Sequence, residues 1–200
     1  FVGDTYVYDD DGRFIKSKTD ALGRTTSYSL YNSYGSPSVV EDAKGRSTYY
    51  DYDCFGNVIK KRYPDLSEET VATEWGGEGL YTVTKTVTQQ PTSKIHYSAA
   101  GREVRSEVQR FDGTWLITDT GYRTDGLVSK VSLPFKGGSA SGWACYDYDA
   151  YKRPIKIEEA SGKVSTWMYS GLSKTVVRDG VSTTKTFDGS GWLSRVQDLG

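Results

Sequence analysis

Histidine and methionine occur once each, cysteine twice and proline five times in 200 residues. Each shortage removes a class of protein. A single imidazole, His96, excludes metal sites that need two or more histidines, and no Gly-x-Ser-x-Gly elbow accompanies it for a Ser-His-Asp triad. Cys54 and Cys145 make neither a CxxC site nor a disulfide framework, and a bridge, free thiols and buried thiols all stay open. Charge of one sign is also missing. Lys and Arg total 25 against 26 Asp and Glu, and the pI is near 5.9, so no basic surface follows a phosphate backbone and no nucleic-acid partner is expected. The longest apolar run is Trp143-Ala144-Cys145-Tyr146, with a mean hydropathy of −0.59. No segment approaches the roughly 20 apolar residues of a membrane-spanning helix.

What is present in excess is glycine, 22, and tyrosine, 16, a balance that favours strands and tight turns over helices. The composition reads as all-β, on a chain long enough to bury a core. It also repeats itself. An aromatic followed four residues later by glycine recurs at Tyr8/Gly12, Tyr31/Gly35, Tyr52/Gly56, Trp75/Gly79, Tyr97/Gly101, Tyr122/Gly126 and Phe187/Gly191. Two further copies are degenerate: Tyr148-Asp149 has Lys152 where glycine belongs, and Tyr169 has its glycine two places early at Gly171. The spacing averages about 22 residues, so residues 1–200 read as one array of about nine repeats.

Around each aromatic, alternate residues are β-formers (Tyr6 and Tyr8, Tyr50 and Tyr52, Trp167 and Tyr169), the pattern of a strand with one aromatic face. A second strand follows, as in Val58 to Tyr63 and Ile155 to Glu159, and a second glycine closes the unit at Gly23, Gly45, Gly113, Gly162 and Gly180. Short hairpin loops need a residue at positive φ, which glycine supplies. The preceding Asp9, Asn32, Asp53, Asp149 and Asp188 read as Asx-turn builders. Nine such units make about 18 antiparallel strands. At about 4.8 Å per strand the sheet is roughly 86 Å wide, so it is expected to curve, roll or spiral. Rolled up, it leaves a bore of about 17 Å, too narrow for a folded domain. The wall therefore belongs to a longer spiral, or encloses something small or unfolded.

Other features read as structure. His96 alternates with Ile95 and Tyr97 and is expected at the surface. Gly137-Gly138-Ser139-Ala140-Ser141-Gly142 lacks the Gly-Lys-Ser/Thr of a phosphate loop, and residues 134–142 read as a flexible insertion. Asp9-Asp10-Asp11 lacks the ligand spacing of a calcium loop. Asp51/Asp53 and Asp147/Asp149 mimic a glycosidase dyad, but one active site does not need the pair twice. No cofactor, metal or catalytic residue is expected. The rings are expected to stack as a cross-strand ladder; the rival use is to present ring faces to sugars or to a polypeptide.

The units Tyr6-Val7-Tyr8-Asp9-Asp10-Asp11-Gly12-Arg13-Phe14-Ile15 and Tyr50-Asp51-Tyr52-Asp53-Cys54-Phe55-Gly56-Asn57-Val58-Ile59 resemble Rhs repeats, also called YD repeats, and the pattern covers essentially the whole chain. Bacterial Rhs polymorphic toxins, the shell subunits of insecticidal toxin complexes and, more distantly, animal teneurins are built from such repeats. The resemblance implies a β-sheet that spirals into a hollow shell. Its partners would be the rest of a longer chain and an enclosed toxin polypeptide, at a secreted or cell-surface location. Starting at Phe1 rather than Met, the chain reads as a piece of such a protein. The Asp-Pro motifs of the self-cleaving core of bacterial shells are missing, since Pro37, Pro64, Pro91, Pro134 and Pro154 follow Ser, Tyr, Gln, Leu and Arg. The chain is thus expected to be wall rather than cargo, and not an enzyme. The alternative is a cell-wall or cell-surface carbohydrate-binding or adhesion module, although aromatic hairpins of that kind carry adjacent Trp-Tyr-Tyr clusters that this chain does not.

Overall fold

A computed structural model describes residues 3–199, in which strands account for nearly all regular structure. They are β1 (Thr5–Tyr8), β2 (Ile15–Thr19), β3 (Thr25–Tyr31), β4 (Pro37–Glu41), β5 (Ser47–Tyr52), β6 (Val58–Arg62), β7 (Glu68–Trp75), β8 (Tyr81–Val87) and β9 (Ser93–Tyr97). They continue with β10 (Glu103–Gln109), β11 (Trp115–Tyr122), β12 (Val128–Ser132), β13 (Trp143–Tyr148), β14 (Pro154–Glu158), β15 (Val164–Ser170), β16 (Ser173–Arg178), β17 (Val181–Phe187) and β18 (Leu193–Leu199). The chain divides into two compact units, Phe1–Lys94 and Ile95–Gly200. In the first, β1 to β8 form an antiparallel meander in which each strand pairs with its chain neighbours. In the second, β10 pairs with β9 and the meander runs on to β18. The all-β class and the tandem antiparallel hairpins are as the sequence reads.

One loop design serves both edges of each sheet. The first loop residue donates its N–H to the carbonyl four or five residues on and accepts one from the residue three on, as in Asp42→Arg46 and Gly45→Asp42. This is a type I turn closed by a left-handed residue, and the glycine there has φ of +67° at Gly12, +84° at Gly56 and +88° at Gly126. Lys152 (φ 64°) and Leu66 (φ 67°) hold the same conformation without being glycine. Among the loops led by the repeat aromatic, the chain departs from this design at Trp75, where a 3-10 turn over Gly77–Gly79 replaces it, and at Tyr169, where Gly171 and Leu172 make a two-residue tip. These two repeats therefore do not carry the loop expected of them: one lacks the capping side chain and the other is too short to hold it.

A second departure concerns the faces. A one-residue register shift falls just before the aromatic at Tyr8, Tyr52, Tyr122, Tyr148 and Phe187. Such bulges add local twist and interrupt strict alternation, so Tyr50 and Tyr52 do not simply share a face. Among the described residues few side chains are fully covered. The buried side chains among the described residues are Ser132, Phe135 and Trp167, and the accessible surface is 13543 Å².

Candidate functional site

With so little buried, stability has to come from contacts between hairpins, and these concentrate where the Tyr-Asp loops lie side by side. Many of these loops begin with their own cap, and others take one from their third residue, as Asp65, Asp112 and Asp125 do. Asp42 Oδ1 accepts the N–H of Lys44 (2.8 Å) and of Arg46 (3.1 Å), while Oδ2 takes the Arg46 guanidinium at 2.6 Å. Asp9, Asp20, Asn32, Asp53, Asp149 and Asp188 cap the equivalent amides. The Arg46 guanidinium and backbone N–H hold the Asp42 carboxyl down to about 2. Arg24 does the same for Asp20, Asn57 for Asp53, and the Phe14 N–H for Asp9, each held below the ordinary carboxylate range. In the first loop Asp9 is committed to this cap while Asp10 pairs with Lys16, so the aspartate run does not converge on one point.

The joint between successive loops has three parts. First, the tyrosine hydroxyl donates back to the residue that opens the strand after the preceding loop: Tyr31 to the Ile15 carbonyl, Tyr52 to Pro37 (2.8 Å), Tyr122 to Glu103 (2.7 Å) and Tyr169 to Pro154 (2.9 Å). Second, a side chain of the preceding loop lies on the glycine of the next. A Cβ added to Gly35 would stand 3.3 Å from Phe14, on Gly56 3.3 Å from the Tyr34 ring, and on Gly126 2.5 Å from Arg102. The glycines thus serve twice, for positive φ and for the space above them. Third, a ring or cation covers the tyrosine. Phe14 stacks on Tyr31 at 4.6 Å, Arg102 lies 5.7 Å from the Tyr122 centroid, and Arg153 lies 4.2 Å from that of Tyr169. Tyr34 adds a hydroxyl bond to the Cys54 carbonyl.

The expected ladder of stacked rings is therefore corrected at Tyr52, tied through its hydroxyl, and at Tyr122 and Tyr169, tied through hydroxyl and cation, because a spacing of two strands leaves the rings too far apart to meet face to face. Tyr8, Tyr97, Gly101 and Gly191 lie on loops of the same kind, and Phe187 has no hydroxyl to offer. His96 is also corrected. It is half-buried, with Nε2 3.1 Å from Glu107 Oε1 on the neighbouring strand, rather than simply turned to solvent. Both cysteines are free and exposed. Asp51 and Asp147 stand opposite Lys60 and Lys156 in the register. The residues missed from sequence are Phe14, Tyr34 and Arg102, whose partners lie about 20 positions away; their recurrence shortly after each loop's start was the available signal.

Fold and joints together define a tandem β-hairpin-repeat sheet bound tip to tip. No protein-family model and no curated protein matches the chain. Solved structures do: it is similar to the crystal structure of TcdB2-TccC3 at a TM-score of 0.77 and 14% identity, covering 98% of this chain and 14% of that one. TcdB2-TccC3-TEV matches at 0.75 and 11% identity, and TcdB2-TccC3 without its hypervariable C-terminal region at 0.74 and 12%, each covering 98% of this chain and 16% of the other. The likeness is one of fold, and this chain spans about a sixth or less of the length of those it matches. Motif and fold agree, for the Tyr-Asp units that resemble Rhs/YD repeats fold as the hairpins of TcdB2-TccC3 do.

Proposed function

We propose that the chain is a stretch of wall in an Rhs/YD-repeat β-shell, without catalysis of its own, acting in a larger secreted or cell-surface protein that encloses or presents a toxin polypeptide. The observation that carries this reading is the division of stabilising contacts: hairpins are tied to their neighbours at the loops, while almost no side chain among the described residues is fully buried. A sheet so built gains stability by being continued and closed rather than by packing into a globule. The fold likeness to a small part of much longer chains agrees with that use. The partners are then the remainder of the same polypeptide and its contents.

Electron microscopy of the intact protein tests it. The wall reading expects β1 and β18 to pair with further strands of the same polypeptide around additional internal density. Free edges, or a sheet folded over a packed core, would overturn it. Retention on peptidoglycan or glucan that is lost when the exposed rings of Tyr34 and Phe55 are replaced would favour a carbohydrate-binding module instead.

A further inference from the structure

The complete joints set a standard against which every other pair of loops can be measured. In the second unit the pair formed by the loops at 123–127 and 149–153 lacks two of its three parts, the hydroxyl bond and the glycine gap. Lys152 occupies the glycine position, so no gap receives a side chain from the loop before. The Tyr148 hydroxyl reaches no carbonyl among the described residues, although Val128 opens β12 where Glu103 and Pro154 open β10 and β14. The remaining tie is Arg123, 5.9 Å from the Tyr148 centroid.

The opposite edge is weak at the same place. β4 and β5 are closed by the capped loop Asp42–Arg46, and β14 and β15 by Glu159–Lys163. Between β12 and β13 the closing bond runs from Leu133 N–H to the Gly142 carbonyl across a much longer segment. A longer connection holds its two ends together less firmly. The segment's one buried side chain, Phe135, is anchored to Ile117 of β11 by reciprocal backbone hydrogen bonds of 2.9 and 2.8 Å, while the far end at Gly142 lies against Ala160 of the next loop, so the insertion bridges past the β12–β13 pair rather than clamping it. What crosses from β12 to β13 is the register Lys130↔Cys145, Val131↔Ala144 and Ser132↔Trp143, with Lys130 over the Trp143 ring at 4.3 Å.

We propose that β12 and β13 form a built-in seam, the line along which the second unit's sheet opens first. Its use as an opening in a wall rests on the function proposed above; the existence of the seam does not. The comparison needed to test it is supplied by the fold. The Leu133–Gly142 bond places Val131↔Ala144 as a hydrogen-bonded pair, just as Asp42–Arg46 places Val40↔Thr48, two residues from the closing bond in each case. The two sites differ in their joints and not in strand pairing.

Amide hydrogen exchange on the intact protein, corrected for intrinsic rates, is expected to be about tenfold faster at Val131 and Ala144 than at Val40 and Thr48, the factor that a deficit near one hydrogen bond and one contact produces. The seam can also be stapled. Lys130 faces the native Cys145 in a non-hydrogen-bonded pair, the register in which side chains lie closest and within disulfide reach. Lys130→Cys in a Cys54→Ser background, once oxidised, should bring exchange at Val131 and Ala144 down to the level of Val40 and Thr48, and reductant should restore it. Equal exchange at the two sites before stapling, or fast exchange that persists in the oxidised variant, would overturn the seam. Failure of the wall reading by microscopy would leave these exchange results unchanged.

Discussion

Hairpins are held together by different means in β3–β6 and in β15–β18. In the former the tips are five-residue loops with a carboxylate or amide cap, and Tyr52 and Tyr34 reach from one tip to the next. In the latter two of the three tips shrink, to Gly171-Leu172 and Asp179-Gly180, while Asp188–Trp192 keeps the capped loop, and paired hydroxyls run along the strands between the short tips, Thr175 with Thr184 at 2.9 Å and Ser173 with Thr186 at 3.3 Å. The strands there are six or seven residues long throughout, whereas β3 to β6 run seven, five, six and five. Ladder length and tip joints are thus two routes to the same end. Where one is short the other is developed, and Phe187 lacks a hydroxyl in the region where the ladder already binds its neighbours.

Acid should separate the two regions most strongly. The folded pKa of Asp42, about 2, lies below the unfolded value of 3.8, so its contribution is whole above about pH 4 and is lost as pH falls through about 2. Asp20 and Asp53 are shifted the same way. Amide protection at Arg24, Lys44 and Arg46 should therefore persist at pH 5 and collapse below about pH 3, while Val176 and Val177 between the short tips keep theirs longer. Simultaneous loss in both regions would show that the caps contribute nothing of their own.

Glycine substitutions come next in size. Gly45 and Gly56 both sit at positive φ, 74° and 84°, so alanine strains either by about 1–2 kcal/mol. Only Gly56 has a ring above it; Gly45 opens on empty space. Gly56→Ala should cost a further 1 kcal/mol or so, as expected for crowding in a packed contact, visible as a lower urea midpoint than that of Gly45→Ala. Equal midpoints would remove the joint from the argument.

These two glycines mark how far the sequence could be read. The requirement for positive φ is local, so the glycine spacing, the Asp or Asn cap and the number of strands were all legible. The contact between Gly56 and Tyr34 depends on two loops lying side by side, which no short window contains. Leu66 hid its loop because nothing in its chemistry announces a left-handed residue, and the bulge before Tyr52 hid from a strictly alternating pattern. The stacked ladder was a reasonable expectation from tyrosine abundance. It gave way because a hydroxyl can reach a carbonyl one strand back where a ring cannot reach its counterpart two strands away.

Tyrosine at the joint should matter less than glycine. Tyr52→Phe removes the 2.8 Å bond to the Pro37 carbonyl and should cost about 1 kcal/mol, whereas Phe187→Tyr at the equivalent place in the second region should give no comparable gain. A stabilising Phe187→Tyr would mean that the tip joint is merely unused there rather than replaced.

The smallest effect is expected in the ladder itself. Thr175→Val keeps the branched shape of the side chain on β16 and deletes one partner of the hydroxyl pair with Thr184, which is only half-buried, so the loss should stay within about 0.2–1 kcal/mol. Valine also suits a strand, which offsets part of that loss. Thr175→Val combined with Thr184→Val removes both hydroxyls and leaves no orphan, and it should be no worse than the single change. Measured midpoints in that order would show that the β15–β18 region is bound by many small, separable cross-strand terms. A large loss from the single substitution would instead make Thr175 a focal contact, and the contrast with the tip-jointed hairpins would narrow to a difference in where the joint sits.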